Sequence, residues 1–553
     1  MSLRRVECAH PGSGAFATRM RSLSDRHFGL LLLALGAILF LGNLGNMYLW
    51  QDEAETALLS QRLGEYGLPL AFDGRNLIRQ APQDIQYTSD YVWVYHPWLP
   101  FYFTSISFML LGTTTFAARL PFALAGLLTV LLTHSSLRRH FVDRRIAQLG
   151  ALLLLLCVPF ILHSRQCKYF SLAALFTVAS IDAYLHLRRR PAVPWALPYL
   201  IISAFLLFQS NFGAFVPLMA AMSVHYLLTG PRRSDLVAVV VGVAIVALYV
   251  LPWAVYLQTW ARGRFVFDVY RFAGHLAHYV VYITGWILPW PLLLFLPYEH
   301  LRLWRPTRAT PLGGGEASII NLYVTIILVT VVFLSASFIW MYFSYIVQLV
   351  PLLCALLAFV LVRLSDRRAC VGWALLLVLV ATNVLHMVPY VFPQAQAFKW
   401  ASLAPRRYLA ETDALIVVAG KLRSDLAQFA YELTHDYDDP NEGVALYLAQ
   451  HAKPGDIVLA NYGELPIAFY TGLDIAGGLS GYRLDKVTEP NWVINRQNGP
   501  YRDEVDAILA RGRYDAIEIP YPDLPWGNRP VPEYHKFATV HEGPNVVLHR
   551  RME

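Results

Sequence analysis

Pro97-Trp98-Leu99-Pro100-Phe101-Tyr102-Phe103-Thr104-Ser105-Ile106-Ser107-Phe108-Met109-Leu110-Leu111-Gly112 is the stretch on which the architecture turns. A helix that crosses a bilayer needs about 20 mostly apolar residues, and this run has 16. Longer apolar runs begin near Phe28, Leu120, Ile146, Phe170, Ala196, Gly213, Leu236, Leu276, Ile319, Phe343 and Val371. If residues 97–112 do not cross, the N-terminal tail and the clusters at 138–145, 188–190, 232–233, 302–308 and 363–368 all face one side. Those segments hold 20 Arg and no Lys, against five Lys or Arg in the short loops opposite. If they do cross, every later cluster is turned away from the basic tail. The positive-inside rule selects the first arrangement. The fold class is therefore a polytopic α-helical membrane protein of about 11 transmembrane helices with the N-terminus inside. Residues 97–112 become an amphipathic helix lying at the interface, with Thr104 and Ser107 as its polar face.

Composition agrees. Of 553 residues, 56% are hydrophobic and 15% are charged, where soluble proteins carry about 25% charged residues. The net charge of +7 sits in short clusters between apolar runs, which excludes nucleic acid as its explanation and fits loop topology. The five cysteines, Cys8, Cys157, Cys167, Cys354 and Cys370, show neither metal spacing nor a paired framework, and Cys157 and Cys354 read as core residues. Arg19, Arg21 and Arg26 precede the apolar run Phe28–Leu41 as in a signal peptide. No small-x-small site follows, so the run is expected to remain as the first helix.

Two consequences follow. Residues 46–119 form one long external loop, and residues 392–553 lie on the same, extracytoplasmic side. The expected division is a membrane module, 1–391, and a C-terminal extracytoplasmic α/β domain, 392–553. In the latter, helix-like stretches (Asn441–His451, Tyr501–Arg511) alternate with strand-like ones (Asp456–Ala460, Ala516–Pro520, Asn545–Leu548). Gly313-Gly314-Gly315 lacks the lysine of a phosphate loop and reads as linker.

The external loops carry the candidate chemistry. Asp52, Glu53 and Glu55 follow the first helix directly. They fit a helix start, where acids meet the dipole, and equally a general base held at the membrane surface. Arg165, Lys168 and Tyr169 stand at a helix mouth on the side where positive charge is scarce. An anionic ligand such as a phosphate accounts for them; so does snorkelling toward lipid headgroups. Arg119 reads as an interfacial anchor, Arg75 as turn chemistry and His96 as a structural loop histidine. The loop Gln258–His275, with Arg262, Arg264 and Arg271, suits either a lipid-phosphate groove or an interfacial helix. His435-Asp436-Tyr437-Asp438-Asp439 lacks the glycine and distal glutamate of a calcium loop.

The run Asp52-Glu53-Ala54-Glu55-Thr56-Ala57-Leu58-Leu59 with Gly64-Glu65-Tyr66-Gly67-Leu68-Pro69 resembles the first loop of the protein O-mannosyltransferase and lipid A aminoarabinose transferase superfamily. His96-Pro97-Trp98-Leu99-Pro100, Ala117-Ala118-Arg119-Leu120-Pro121 and Ser164-Arg165-Gln166-Cys167-Lys168-Tyr169 resemble its later motifs, and the likeness covers about the first 190 residues. The resemblance implies a GT-C fold glycosyltransferase using a polyprenyl-phosphate-linked sugar donor, with a glycan, lipid or protein acceptor. It implies the inner membrane as the location; a lipid-phosphate leaving group met by cations needs no metal in principle, so no cofactor is expected. By the same resemblance Asp52 is the base and Glu53 supports it. The family's first-loop arginine falls on Arg119 and its second-loop basic residue on Arg165, at the donor phosphate; the residues themselves add Lys168 and Tyr169 as candidate donor-phosphate contacts and Arg75 and His96 as candidate substrate contacts. Trp98 replaces the second proline of the family's His-Pro-Pro, and Lys168 lies where some lipid A transferases carry an aspartate. Neither lipid A nor aminoarabinose follows from the likeness. A transporter or lipid flippase and a non-catalytic scaffold for envelope glycan assembly are the rival readings of such a chain.

Overall fold

The structure is a computed structural model describing residues 25–81, 84–188, 193–230, 233–258, 268–303, 315–338, 340–387, 422–437, 439–497, 499–523, 527–532, 534–537 and 544–552. The linker glycines 313–314, Asp438, most of the basic tail, Arg262 and Arg264 lie outside these residues.

A helix stands at each of the eleven expected places. Five are long and apolar enough to cross a membrane: Thr115–His140, Phe170–Leu187, Val239–Tyr256, Glu316–Ser337 and Phe343–Arg367. Two further places hold bent pairs, Arg144–Leu155 with Val158–Ser164 at 61° and Val269–Trp286 with Trp290–Tyr298 at 99°. The first break coincides with Pro159 just inside the second helix, where a proline starts a helix but cannot continue one. The remaining four, Arg26–Leu41, Ala196–Ser210, Phe212–Leu228 and Ala369–Ala381, are shorter apolar helices. The chain is thus a multi-pass membrane protein. Its outer apolar faces are bare, as on Arg233–Tyr256, where Val237, Leu248 and Leu251 are exposed.

Residues 97–112 fold as the short helix Leu99–Leu111. Its polar residues turn inward rather than toward water. Ser107 Oγ donates to Ala117 O at 2.6 Å, and Thr104 Oγ1 meets Cys167 Sγ at 3.7 Å. Ile106, Met109 and Leu110 face outward. Polar groups that would be stranded in hydrocarbon are satisfied inside the protein instead.

The C-terminal region carries one five-stranded mixed sheet in the order β2-β1-β3-β5-β4. The strands are β1 (Ile457–Ala460), β2 (Asp474–Gly477), β3 (Trp492–Ile494), β4 (Tyr514–Pro522) and β5 (Asn545–Arg551). β1 pairs parallel with β2 and β3, whereas β5 pairs antiparallel with β3 and β4. The helix Pro440–His451 starts on Asp439, whose carboxylate accepts from Asn441 N at 2.7 Å.

This region and the first loop share one apolar core. Leu58, Ile78, Trp93 and Phe108 belong to the same buried cluster as Val458, Leu465, Ile475 and Trp492. Asn76 joins the sheet edge with both ends of its amide: Nδ2 donates to Leu473 O at 2.9 Å, and Oδ1 accepts from Ile475 N at 2.8 Å. Replacing Asn76 by alanine leaves both backbone groups without these partners, which costs about 1–3 kcal/mol. N76A is expected to melt several degrees below wild type in detergent, and an unchanged melting temperature would show that the sheet edge does not depend on this amide.

Candidate functional site

The site is built around the start of the helix Gln51–Tyr66. Trp50 caps it in extended conformation, placing Asp52 and Glu53 in the first turn, where acids are favoured by the dipole. Helical spacing then sends the three carboxylates different ways.

Glu53 points into the protein. Arg119, just over one turn into the helix Thr115–His140, grips it through both oxygens, Nε to Oε1 at 2.8 Å and Nη2 to Oε2 at 2.7 Å. The remaining Arg119 donors go to the carbonyls of Leu44, Met47 and Tyr48 at 3.2, 2.8 and 3.3 Å. Glu53 also accepts from Cys167 N at 2.7 Å, and both side chains of the pair are buried. One ion pair therefore ties together the chain before Asp52, the helix carrying it and the second external loop.

Arg165 is likewise taken up by the backbone. It donates to the carbonyls of Leu39, Phe40, Gly42 and Asn43 at 2.7–3.2 Å and lies over the Phe429 ring at 5.5 Å. These carbonyls form the open C-terminal end of the first helix, which attracts a cation.

Lys168 does reach the acids. Its Nζ donates to Glu55 Oε1 at 2.7 Å and to Asp52 O at 3.2 Å, leaving its third hydrogen for a ligand. His96 Nδ1 lies 3.3 Å from the same Glu55 oxygen, and Gln80 Nε2 donates to the other at 2.6 Å. Burial raises the Glu55 carboxyl, but Lys168 and His96 outweigh it and hold it down at about 2. Lys168 loses from burial and gains more from Glu55 and Asp52, so it stays charged. The Tyr169 ring packs 5.8 Å from His96, and burial followed by the charges of Asp52 and Glu55 raises its hydroxyl.

Asp52 is the one of the three carboxylates that is not fully buried. Burial pushes its pKa above the ordinary value, Lys168 and Arg529 pull it down, and Glu55 and Glu53 add to the rise. A carboxyl whose pKa is raised above the ordinary value is a stronger proton acceptor than a free carboxylate. Arg75 stays away from this group: it is exposed in a turn where Asp73 Oδ1 accepts from its backbone N at 2.9 Å.

Residues 527–537 bring in groups that the sequence did not flag. Arg529 lies over the Trp50 ring at 5.2 Å, and Tyr462 interacts with both Arg529 and Asp52. The signal was weak, a lone arginine in a Gly-Asn-Arg-Pro turn. Gln51 Nε2 donates to Glu464 at 2.6 Å, and burial pushes the Glu464 carboxyl up to about 7. Of the 435–439 run, Asp439 caps its helix and accepts from Asn528 Nδ2 at 2.6 Å.

Residues 95–256 match the family model for dolichyl-phosphate-mannose-protein mannosyltransferase. No curated protein sequence matches the chain. Among solved structures, the chain is similar to ArnT from Cupriavidus metallidurans bound to undecaprenyl phosphate, at 16% identity and a TM-score of 0.58 over 95% of this chain and 98% of that one. The same protein in the apo state gives 15% identity and 0.58, with the same coverage. The archaeal oligosaccharyltransferase AglB from Archaeoglobus fulgidus, in complex with an inhibitory peptide and a dolichol-phosphate, gives 12% identity and 0.50 over 90% of this chain and 70% of that one. The family model matches residues 95–256 of the chain, and both solved proteins share its fold over most of its length.

Two outcomes test this geometry. R119M strands Glu53 in the interior, which costs about 3–5 kcal/mol; it is expected to destroy stability rather than merely weaken a ligand, as read by yield and melting temperature. Glu464 binds its proton more tightly folded than unfolded, so its contribution is present below the ordinary value of 4.5 and is lost as pH rises to about 7. Melting temperature should fall across that window, by on the order of 3 kcal/mol in stability, and E464Q should flatten the fall. A flat wild-type profile would contradict the assignment.

Proposed function

We propose that this multi-pass membrane protein is a GT-C-type glycosyltransferase that moves a sugar from a polyprenyl-phosphate donor to an acceptor hydroxyl at the extracytoplasmic face. Supporting the donor class, both ArnT and AglB have been captured with a polyprenyl phosphate. Supporting the side, the basic clusters segregate to the opposite face. On this reading residues 1–391 are the catalytic module and 392–553 an external α/β domain.

The observation that carries the proposal is Asp52, half-buried with a raised pKa beside Lys168 at the rim of the membrane part. Asp52 takes the proton of the acceptor hydroxyl while that oxygen attacks the anomeric carbon. The bond from that carbon to the phosphate oxygen breaks, its electron pair goes to the phosphate, and attack from the opposite face inverts the centre. Lys168 meets the growing charge with its remaining donor. His96 holds Glu55 in place, Tyr169 packs against His96, and the two rings line the sugar side. Glu53, locked by Arg119, supports the turn that presents Asp52, and Arg165 serves the donor end by fixing the mouth of the first helix.

D52N keeps the size of the side chain and removes the base. Turnover of a polyprenyl-phosphate sugar is expected to fall at least about a hundredfold, with lipid binding retained. The acid limb of the wild-type rate profile should lie above the ordinary carboxylate range, because burial raises Asp52. D52N turning over at the wild-type rate would end this mechanism.

A further inference from the structure

Three carboxylates crowd the site, and each faces a cation. Glu53 has Arg119 and Glu55 has Lys168. Asp52 feels the charge of Lys168 first and then of Arg529, which comes from the far end of the chain and lies over the ring of Trp50, two residues before Asp52, at 5.2 Å.

The placement of Arg529 is enforced from several sides. Its neighbour Asn528 donates through Nδ2 to Tyr48 O at 2.8 Å and to Asp439 Oδ2 at 2.6 Å. The Arg529 carbonyl accepts from His535 Nδ1 at 2.8 Å, and His535 Nε2 pairs with the buried Glu432 at 2.7 Å. The guanidinium lies between two rings, 5.2 Å from Trp50 and 6.0 Å from Tyr534, a geometry in which cation–π attraction holds it flat. The Trp50 indole nitrogen is bonded to the Gln166 side chain, so the platform belongs to the same loop as Lys168. A planar cation with five donors, fixed on a ring two residues before Asp52, suits a phosphate better than it suits one carboxylate.

We infer that Arg529 is a catalytic residue, binding the departing lipid phosphate opposite Lys168, so that the C-terminal region completes the active site rather than only recruiting acceptors. The inference rests on the transfer reaction proposed above. The charge balance of that reaction gives the reason. Before transfer Asp52 is an anion and the donor phosphate, a diester, carries one negative charge. As the acceptor proton moves to Asp52, that carboxyl becomes neutral. As the sugar leaves, the phosphate oxygen gains the electron pair and a second negative charge. One unit of charge passes from Asp52 to the phosphate, and Arg529, poised near both, exchanges one anion for the other without leaving its ring. Lys168 does not make this exchange, because Glu55 keeps its charge throughout.

The test uses the full chain in detergent and two probes, undecaprenyl phosphate and undecaprenol, read by thermal shift and by direct binding. R529Q should bind undecaprenyl phosphate at least about tenfold more weakly than wild type, with the response to undecaprenol unchanged. A folded R529Q that binds undecaprenyl phosphate as wild type does would overturn the inference. Should R529Q fail to fold, R529K and R529M keep the stem over Trp50. R529K is expected to retain most of the affinity and R529M to lose about tenfold or more; equal binding by the two overturns it. D52N separates the two readings. It should bind undecaprenyl phosphate at least as well as wild type while turnover is lost. Turnover by D52N would remove the base, whereas the phosphate contact is read from binding alone.

Discussion

The buried pair of Arg119 and Glu53 is the constraint on which the rest of the site depends. A bidentate pair with no access to water repays its desolvation only when every donor and acceptor is met. Here the spare Arg119 donors close the turn at residues 44–48, and the spare acceptance of Glu53 anchors the loop at Cys167. The first apolar helix, the helix bearing Asp52, the helix at 115–140 and the second loop therefore share one electrostatic knot. Asp52, one residue from its centre, is left outside it. A catalytic carboxylate has to be held still without being neutralised, and adjacency to a saturated neighbour achieves that.

The same division of labour runs through the other cations. Arg165 satisfies carbonyls at a helix end, Lys168 shares itself between an acid and a backbone oxygen, and Arg529 rests on aromatic rings. How fully each cation is committed orders their capacity to bind an incoming anion. Arg119 and Arg165 are structural in this sense. Lys168 retains a donor, and Arg529 is held by Tyr462 and by the rings of Trp50 and Tyr534.

Much of the architecture was legible in the sequence. Apolar runs marked all eleven helical places, and the alternation after residue 440 gave β1, β4, β5 and two helices close to their bounds. The breaks in two spans were less visible, since a proline inside an apolar run reads equally as a kink or an end. The short strands β2 and β3 were missed because three or four residues carry too little period to detect. The helix at 99–111 was expected in place, but its polar face turned inward, because a run of two threonine- and serine-bearing turns does not say which solvent surrounds it. At the site, the local acids and the Lys168 loop could be read along the chain. The docking of residues that lie 480 positions apart, as Tyr48 and Asn528 do, could not. No local pattern in Gly527-Asn528-Arg529-Pro530 announces the ring it lands on.

A transporter and a transferase both handle lipid-linked sugars, but they leave different products. The most direct measurement is the fate of a polyprenyl-phosphate sugar, labelled in the sugar and in the phosphate, in vesicles holding the purified chain and an envelope extract as acceptor source. The account predicts release of free polyprenyl monophosphate in step with sugar arriving on the acceptor fraction. Movement of the intact sugar-lipid across the bilayer, with no free monophosphate formed, would contradict it.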